Sequence, residues 1–174
     1  MQLFSFDGKE TIRATAEMTG NDISGKAELI EYEFGTQKVV KITLTLEGNP
    51  EILKPGKHAV HIHEKGACDC EGFKCAGGHF DPGPSGNSDP DANHPFHAGD
   101  LPNIVIDEHG KGTLEAITTR VTLSDGPASL LGKESAPEGT SVMVHGNEDP
   151  YKGGDSGSGI SGGPRLACGT INKI

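Results

Sequence analysis

Eight histidines punctuate the chain: His58, His61, His63, His79, His94, His97, His109 and His145. Five of them crowd into the span 61–97, more than a solvated surface needs. The sharpest local pattern is His61-Ile62-His63 inside an expected strand over 57–64. A β-strand alternates its side chains between two faces, so both imidazoles point one way while Val60 and Ile62 point the other. Two neutral imidazoles two residues apart on a strand can reach one ion, and imidazole suits copper or zinc. His58 shares the Val60 face and reads as a packed, hydrogen-bonded ring. His109 lies in Asp-Glu-His-Gly, a turn, and reads as a surface residue.

The elements that must hold these rings read as strands. Period-two alternation runs through Ile12, Ala14, Ala16 and Met18, through Val40, Ile42, Leu44 and Leu46, and through Val142 and Val144 after Ser141. Shorter β-rich segments lie at 104–106, 114–123 and 169–171, bounded by Gly, Pro, Asp or Asn. No segment shows a convincing helical period. Many short strands separated by turn residues predict an all-β sandwich or barrel, which hides the sheet edges that otherwise invite aggregation. No repeat or domain boundary interrupts residues 1–174, so one domain is expected. Two long stretches, 64–103 and 146–164, refuse the strand pattern, and loops of that length are typically functional. The second is rich in Gly and Ser, yet a His precedes it and a Cys follows it, so it is tied at both ends and can wall a site.

Composition excludes other classes. The chain has 174 residues, 15 basic and 25 acidic, for a net charge of −10. Such a balance, with no Lys/Arg stripe, argues against nucleic acid, whose binding depends on cations displacing counterions. Hydrophobic residues are 33% of the chain and mean hydropathy is −0.42, so no stretch supplies the roughly 20 apolar residues of a membrane-spanning helix. Residues 1–20 lack the basic start and apolar run of a secretion signal. Trp is absent, which leaves burial to Val, Ile, Leu and Ala. Four cysteines are too few for a disulfide scaffold but more than a reducing compartment favours. The spacing of Cys68, Cys70 and Cys75 does not form the pairs of a thiolate metal site.

The histidines also sit in contexts that carry a resemblance. His61-Ile62-His63-Glu64-Lys65-Gly66, Ala76-Gly77-Gly78-His79-Phe80-Asp81-Pro82, His97-Ala98-Gly99-Asp100-Leu101-Pro102-Asn103, Val142-Met143-Val144-His145 and Arg165-Leu166-Ala167-Cys168-Gly169 follow one another along the chain. In order and approximate spacing they resemble the copper/zinc superoxide dismutases, and the His-Glu-Lys-Gly-x-Cys segment is closest to the bacterial type. The resemblance implies an eight-stranded Greek-key β-barrel, immunoglobulin-like in its sandwich architecture, with two long loops forming a metal site. It implies copper on His61, His63, His79 and His145, and zinc on His97, Asp100 and His79, whose imidazole is shared.

The family's fourth zinc-binding His has no counterpart here, since Asn87 and Ser88 occupy the usual distance. His94, three residues before His97, is the substitute we expect. Arg165 matches the family's anion-guiding guanidinium and Asp149 its carboxylate linking a copper-site His to a zinc-site His. Cys168 matches the disulfide partner that anchors a loop, with Cys68 as its mate. Cys70 and Cys75 depart from the pattern, leaving open a second bridge, free thiols or competition for that pairing.

The implied reaction is conversion of superoxide to dioxygen and hydrogen peroxide. A copper-only dismutase and a non-catalytic metal-binding protein on the same scaffold are the alternatives. Lys152 is the one cation in 146–164, opposed by Glu148, Asp149 and Asp155, so steering of an anion is expected to be weak. Superoxide is the expected small-molecule partner, with no nucleic acid and no membrane, and a homodimer is left open. The cysteines point to a periplasmic or secreted location, with the cytoplasm as the alternative.

Overall fold

The computed structural model describes residues 7–174, and ten strands account for most of the regular structure. Three long strands come first: β1 (Lys9–Gly20), β2 (Ile23–Phe34) and β3 (Gln37–Gly48). Two-residue turns join them in register, Gly20 opposite Ile23 and Phe34 opposite Gln37. Then follow β4 (Gly56–His58), β5 (Val60–His63), β6 (Ile104–Ile106), β7 (Lys111–Thr118), β8 (Ser141–His145), β9 (Arg165–Thr170) and β10 (Asn172–Lys173). One short 3-10 turn, Glu71–Ala76, interrupts the first long loop.

All strand pairings are antiparallel, in the order β4-β6-β7-β3-β2-β1-β9-β8-β5, with β10 added on β1. The two ends of that order, β4 and β5, are successive in the chain, with only Ala59 between them. Ala59 donates its N–H to the Asn147 carbonyl, and its own carbonyl accepts from His145. The sheet therefore curls until it nearly closes, a barrel with little exposed edge. Past β3 the chain crosses to β4 and returns through β6 and β7, the non-sequential connection of a Greek key.

The interior follows from the alternation. Ala14, Ala16 and Met18 of β1, Ala27 and Leu29 of β2, and Val40, Ile42 and Leu44 of β3 are buried together with Val60, Ile62, Val142 and Val144. Alanines on β1 and β2 leave room for the longer side chains opposite, so the layers interdigitate. Covering such apolar surface contributes about 25 cal/mol per Å².

The expected strand over 57–64 is split at Ala59 into β4 and β5. The expected strand over 114–123 begins at Lys111 and ends at Thr118, after which a third long loop, 119–140, runs to β8. β2 went unread because its inward positions include Gly25 and Glu31, which break the apolar alternation. Two disulfides close the molecule: Cys68–Cys168, 100 residues apart, and Cys70–Cys75, 5 apart.

Candidate metal centre

The site grows from the outer face of β5. Val60 and Ile62 enter the core while His61 and His63 face the other way, and all four are fully buried because loop 64–103 folds back over the strand. That loop pairs like two extra strands: Phe80 donates to the Ile62 carbonyl, Ile62 to Gly99, Gly99 to Phe80 and Leu101 to Val60. The pairing sets His79 beside His63 and Asp100 beside His61. Gly78 permits the approach, since a Cβ there would stand 1.9 Å from the Ser88 carbonyl oxygen. β8, hydrogen-bonded to β5, delivers His145 at its end. Gly162 lies so close to His145 that an added Cβ would come within 2.8 Å of the His145 Cβ.

Each ring is anchored through one nitrogen. His63 Nδ1 donates to the Gly77 carbonyl at 3.0 Å, and His145 Nδ1 to the Gly163 carbonyl at 3.1 Å. His61 Nε2 donates to Asp149 at 2.9 Å. A carbonyl can only accept, so the anchored nitrogen carries the proton and the opposite one presents a lone pair. Those opposite nitrogens, His61 Nδ1, His63 Nε2 and His145 Nε2, are buried without any hydrogen-bond partner, as is His79 Nε2. His61, His63, His79 and His145 bring one ligand atom each to within 4.8 Å of one another. Buried polar atoms left unpaired at one point are costly unless something binds there, and a convergent set of imidazole lone pairs suits a cation.

A second set adjoins the first through His79. Its Nδ1 lies 2.8 Å from Asp100 Oδ1 and 3.3 Å from His97 Nδ1. His97 Nδ1 and His94 Nδ1 lie 3.1 and 3.2 Å from Asp100 Oδ2. His94 Nε2 donates to Asp149 at 2.7 Å, so one fully buried carboxylate holds His61 on one side and His94 on the other. His61, His79, His94 and Asp100 also form a group close enough to share an ion.

Burial pushes the His61 and His63 rings well below the ordinary imidazole value, helped by the neighbouring imidazoles, and lowers His145 to about 4. His79 is likewise lowered, chiefly by burial. Burial would lower His94 too, but the carboxylates of Asp100 and Asp149 on its two nitrogens reverse this and raise it to about 9. Against its own burial, Asp100 is held well below the carboxylate range by hydrogen bonds to His79, His94 and His97. One half of the site is thus a nest of neutral imidazoles, and the other draws positive charge.

All seven expected ligand residues and Asp149 are therefore gathered in one buried cluster. His58 stays outside it, packed with its nitrogens 2.7 Å from the Lys54 and His145 carbonyls, and His109 is exposed. Arg165, at the start of β9, donates to the Phe73 and Gly77 carbonyls at 2.7 and 2.6 Å. The Gly77 carbonyl accepts from His63 as well, which ties Arg165 to the imidazole cluster.

Three positioning residues were not legible in the sequence. Asp91 accepts from the Gly159 and Ser161 N–H groups and the Ser161 hydroxyl, pinning the Gly-rich loop to the first loop. Asn103 exchanges hydrogen bonds with the Asp149 backbone, its Oδ1 accepting at 2.8 Å and its Nδ2 donating at 3.0 Å. Arg120 donates to the carbonyls of Pro95, His97 and Asp100. Each works across long sequence separations, and only turn chemistry in Asp-Pro-Asp could have drawn attention to Asp91.

A nearly closed antiparallel barrel carrying two abutting His and His/Asp clusters defines a β-barrel metalloprotein. Residues 23–171 match the family described as copper/zinc superoxide dismutase (SODC). The chain is 37% identical over 171 residues to "Superoxide dismutase [Cu-Zn] 2" of Aquifex aeolicus, covering 97% of this chain and 92% of that one. It is 36% identical over 177 residues to the "Superoxide dismutase [Cu-Zn]" of Deinococcus radiodurans, covering 96% and 87%. Among solved structures, the clock protein EA4 superposes with a TM-score of 0.67 at 25% identity, covering 98% of this chain and all of that one. The chain belongs to the copper/zinc superoxide dismutase family. It is accordingly an oxidoreductase whose cofactors are copper and zinc, and superoxide is the family's substrate.

Proposed function

We propose that copper is held by His61 Nδ1, His63 Nε2, His79 Nε2 and His145 Nε2, and zinc by the Nδ1 atoms of His79, His94 and His97 with Asp100. The observation that carries this assignment is the convergence of four buried, unpartnered imidazole nitrogens, three of them on rings anchored from behind. Bound copper supplies a one-electron couple, so that two superoxide ions and two protons become dioxygen and hydrogen peroxide. His79, whose two nitrogens face the two clusters, would have Nε2 on copper in one redox state. When that nitrogen is released, it could take up a proton there and supply it to the reduced oxygen species. On the opposite side of the ring, Nδ1 lies 2.8 Å from Asp100 Oδ1, where both would share zinc. Asp149 keeps the tautomers of His61 and His94 by accepting from both Nε2–H groups. Arg165, a permanent cation held by two main-chain carbonyls, orients the small anion beside His63.

We read residues 1–174 as one domain working outside the cytoplasm, in the periplasm or after secretion, because two disulfides persist where the surroundings are oxidising. Solution mass measurement decides between a monomer and a homodimer.

Reconstitution of the whole chain with both metals, followed by elemental analysis and a superoxide assay, tests the assignment. One copper and one zinc per chain with activity are expected. His94→Ala should release zinc and keep copper. Zinc retained at full stoichiometry in that variant would remove His94 from the ligand set.

A further inference from the structure

The 3-10 turn Glu71–Ala76 is closed into a ring by the Cys70–Cys75 disulfide, a bridge the catalytic reading does not use. We propose that this ring is a positioning device for Arg165: by fixing the Phe73 carbonyl it sets the angle at which the guanidinium meets a small anion. The proposal rests on the reading of Arg165 as the anion-orienting group.

Arg165 Nη1 donates to Phe73 and Nη2 to Gly77. Both acceptors are neutral carbonyls, and Arg165 forms no ion pair among the described residues, so its charge is left for an incoming anion. The two carbonyls are secured differently. Gly77 is followed by Gly78, whose N–H donates to Glu64 Oε1, while Lys65 N–H bonds Ala76 and Glu64 N–H bonds Gly78, a ladder onto the end of β5.

Phe73 has no such ladder. Gly72 and Phe73 are both left-handed, with φ of 64° and 54°, and a residue bearing a Cβ keeps that backbone only where its surroundings impose it. What imposes it is the ring: Phe73 N–H bonds the Cys70 carbonyl, Cys75 N–H lies 2.7 Å from Cys70 Sγ, and the disulfide closes the span. The Phe73 side chain packs against the small buried cluster of Ala76, Met143 and Cys168. The Cys68–Cys168 bridge fastens the root of this loop and leaves its tip to Cys70–Cys75.

The test uses the whole chain loaded with copper and zinc, in four forms: parent, Cys70→Ser/Cys75→Ser, Arg165→Ala and the three changes combined. Azide is the anion probe, its dissociation constant read from the visible absorption of the oxidised protein. Hydrogen exchange at Arg165 Nε, read by NMR on the reduced protein, reports guanidinium order independently of turnover. The double variant should bind azide about 3- to 10-fold more weakly, the net worth of about one ordinary hydrogen bond, with metal content unchanged and faster Arg165 exchange. The combined variant should be no weaker than Arg165→Ala alone. Azide affinity and exchange equal to the parent in the double variant, while Arg165→Ala weakens azide, would overturn the ring's role.

If Arg165→Ala leaves azide affinity untouched, the anion reading falls instead, and the exchange rate alone decides the ring: faster exchange upholds it, equal exchange removes it. Should the double variant fail to fold, a phosphine applied to the folded parent opens the same bridge, disulfide, phosphine and water giving two thiols and phosphine oxide. Cys75 is exposed and Cys168 buried, so Cys70–Cys75 reacts first. Faster Arg165 exchange, restored on reoxidation, supports the proposal, and no change in exchange refutes it.

Discussion

Asp149 concentrates the logic of the site in one side chain. It is buried, its Oδ2 accepts from His61 and both oxygens lie 2.7 Å from His94 Nε2, while Oδ1 also accepts the Tyr151 N–H. A carboxylate only accepts, so it can satisfy two imidazole N–H groups at once; an amide cannot, because one of its two ends is a donor. Asp149→Asn should therefore set an NH2 against one ring, turn that ring or its tautomer, and weaken metal binding about 10- to 100-fold while the barrel stays folded. Competition titration with a chelator, beside a circular dichroism spectrum, reads both effects. Unaltered affinity for both metals would show that the rings keep their tautomers without it. The ligand types were legible in the sequence because each His lies in a distinctive local context. The Asn103 side chain that holds the Asp149 backbone was not, since a hydrogen bond spanning 46 residues leaves no local signature.

Among the elements, β2 shows how a charged residue can serve inside a barrel. Glu31 is buried, and its carboxylate accepts from the Thr11 hydroxyl, the Leu123 and Ser124 N–H groups and the Ser124 hydroxyl. It thereby ties loop 119–140 to the sheet, beside the register shift between Glu10 and Ile12 in β1. Burial would raise its pKa, but these hydrogen bonds, led by the two backbone amides, win and hold it below the ordinary 4.5. The unfolded chain therefore takes up this proton first as pH falls. The stability Glu31 contributes is present above about pH 4.5 and is lost as pH drops through its lower folded value. Glu31→Gln should cost about 2 kcal/mol at pH 7, since one oxygen becomes a donor facing other donors, and should flatten the acid limb of stability against pH. Urea unfolding at pH 7 and pH 4 measures both. An acid limb as steep as the parent's would assign that slope to other carboxylates.

On the scale of the whole molecule, a net charge of −10 opposes the approach of any anion, so productive encounter depends on a local positive field. The role proposed for Arg165 is to supply it beside His63, and within 146–164 Lys152 is the one cation, with Glu148 and Asp155 exposed on the same loop. Asp155→Lys should raise kcat/KM about 2-fold at low ionic strength, with the gain fading near 0.5 M salt as screening shortens the field. Stopped-flow decay of superoxide across a salt series measures it. A gain that survives high salt would mean a local contact instead of steering. The 100-residue loop closed by Cys68–Cys168 holds the same walls together; the chain-entropy account puts such a closure at about 4 to 5 kcal/mol.

What the sequence by itself determined is chemistry and period: imidazoles in recognisable frames, alternation in β1, β3 and β8, and the two long stretches that lack the strand alternation. These are local properties, written in residue type and spacing. Tertiary structure alone decided that His94 takes a place beside Asp100 and Asp149, that Cys70 pairs with Cys75, and that Glu31 belongs inside. Each of those outcomes depends on which distant backbone arrives to satisfy a buried polar group, and that is settled only when the barrel closes.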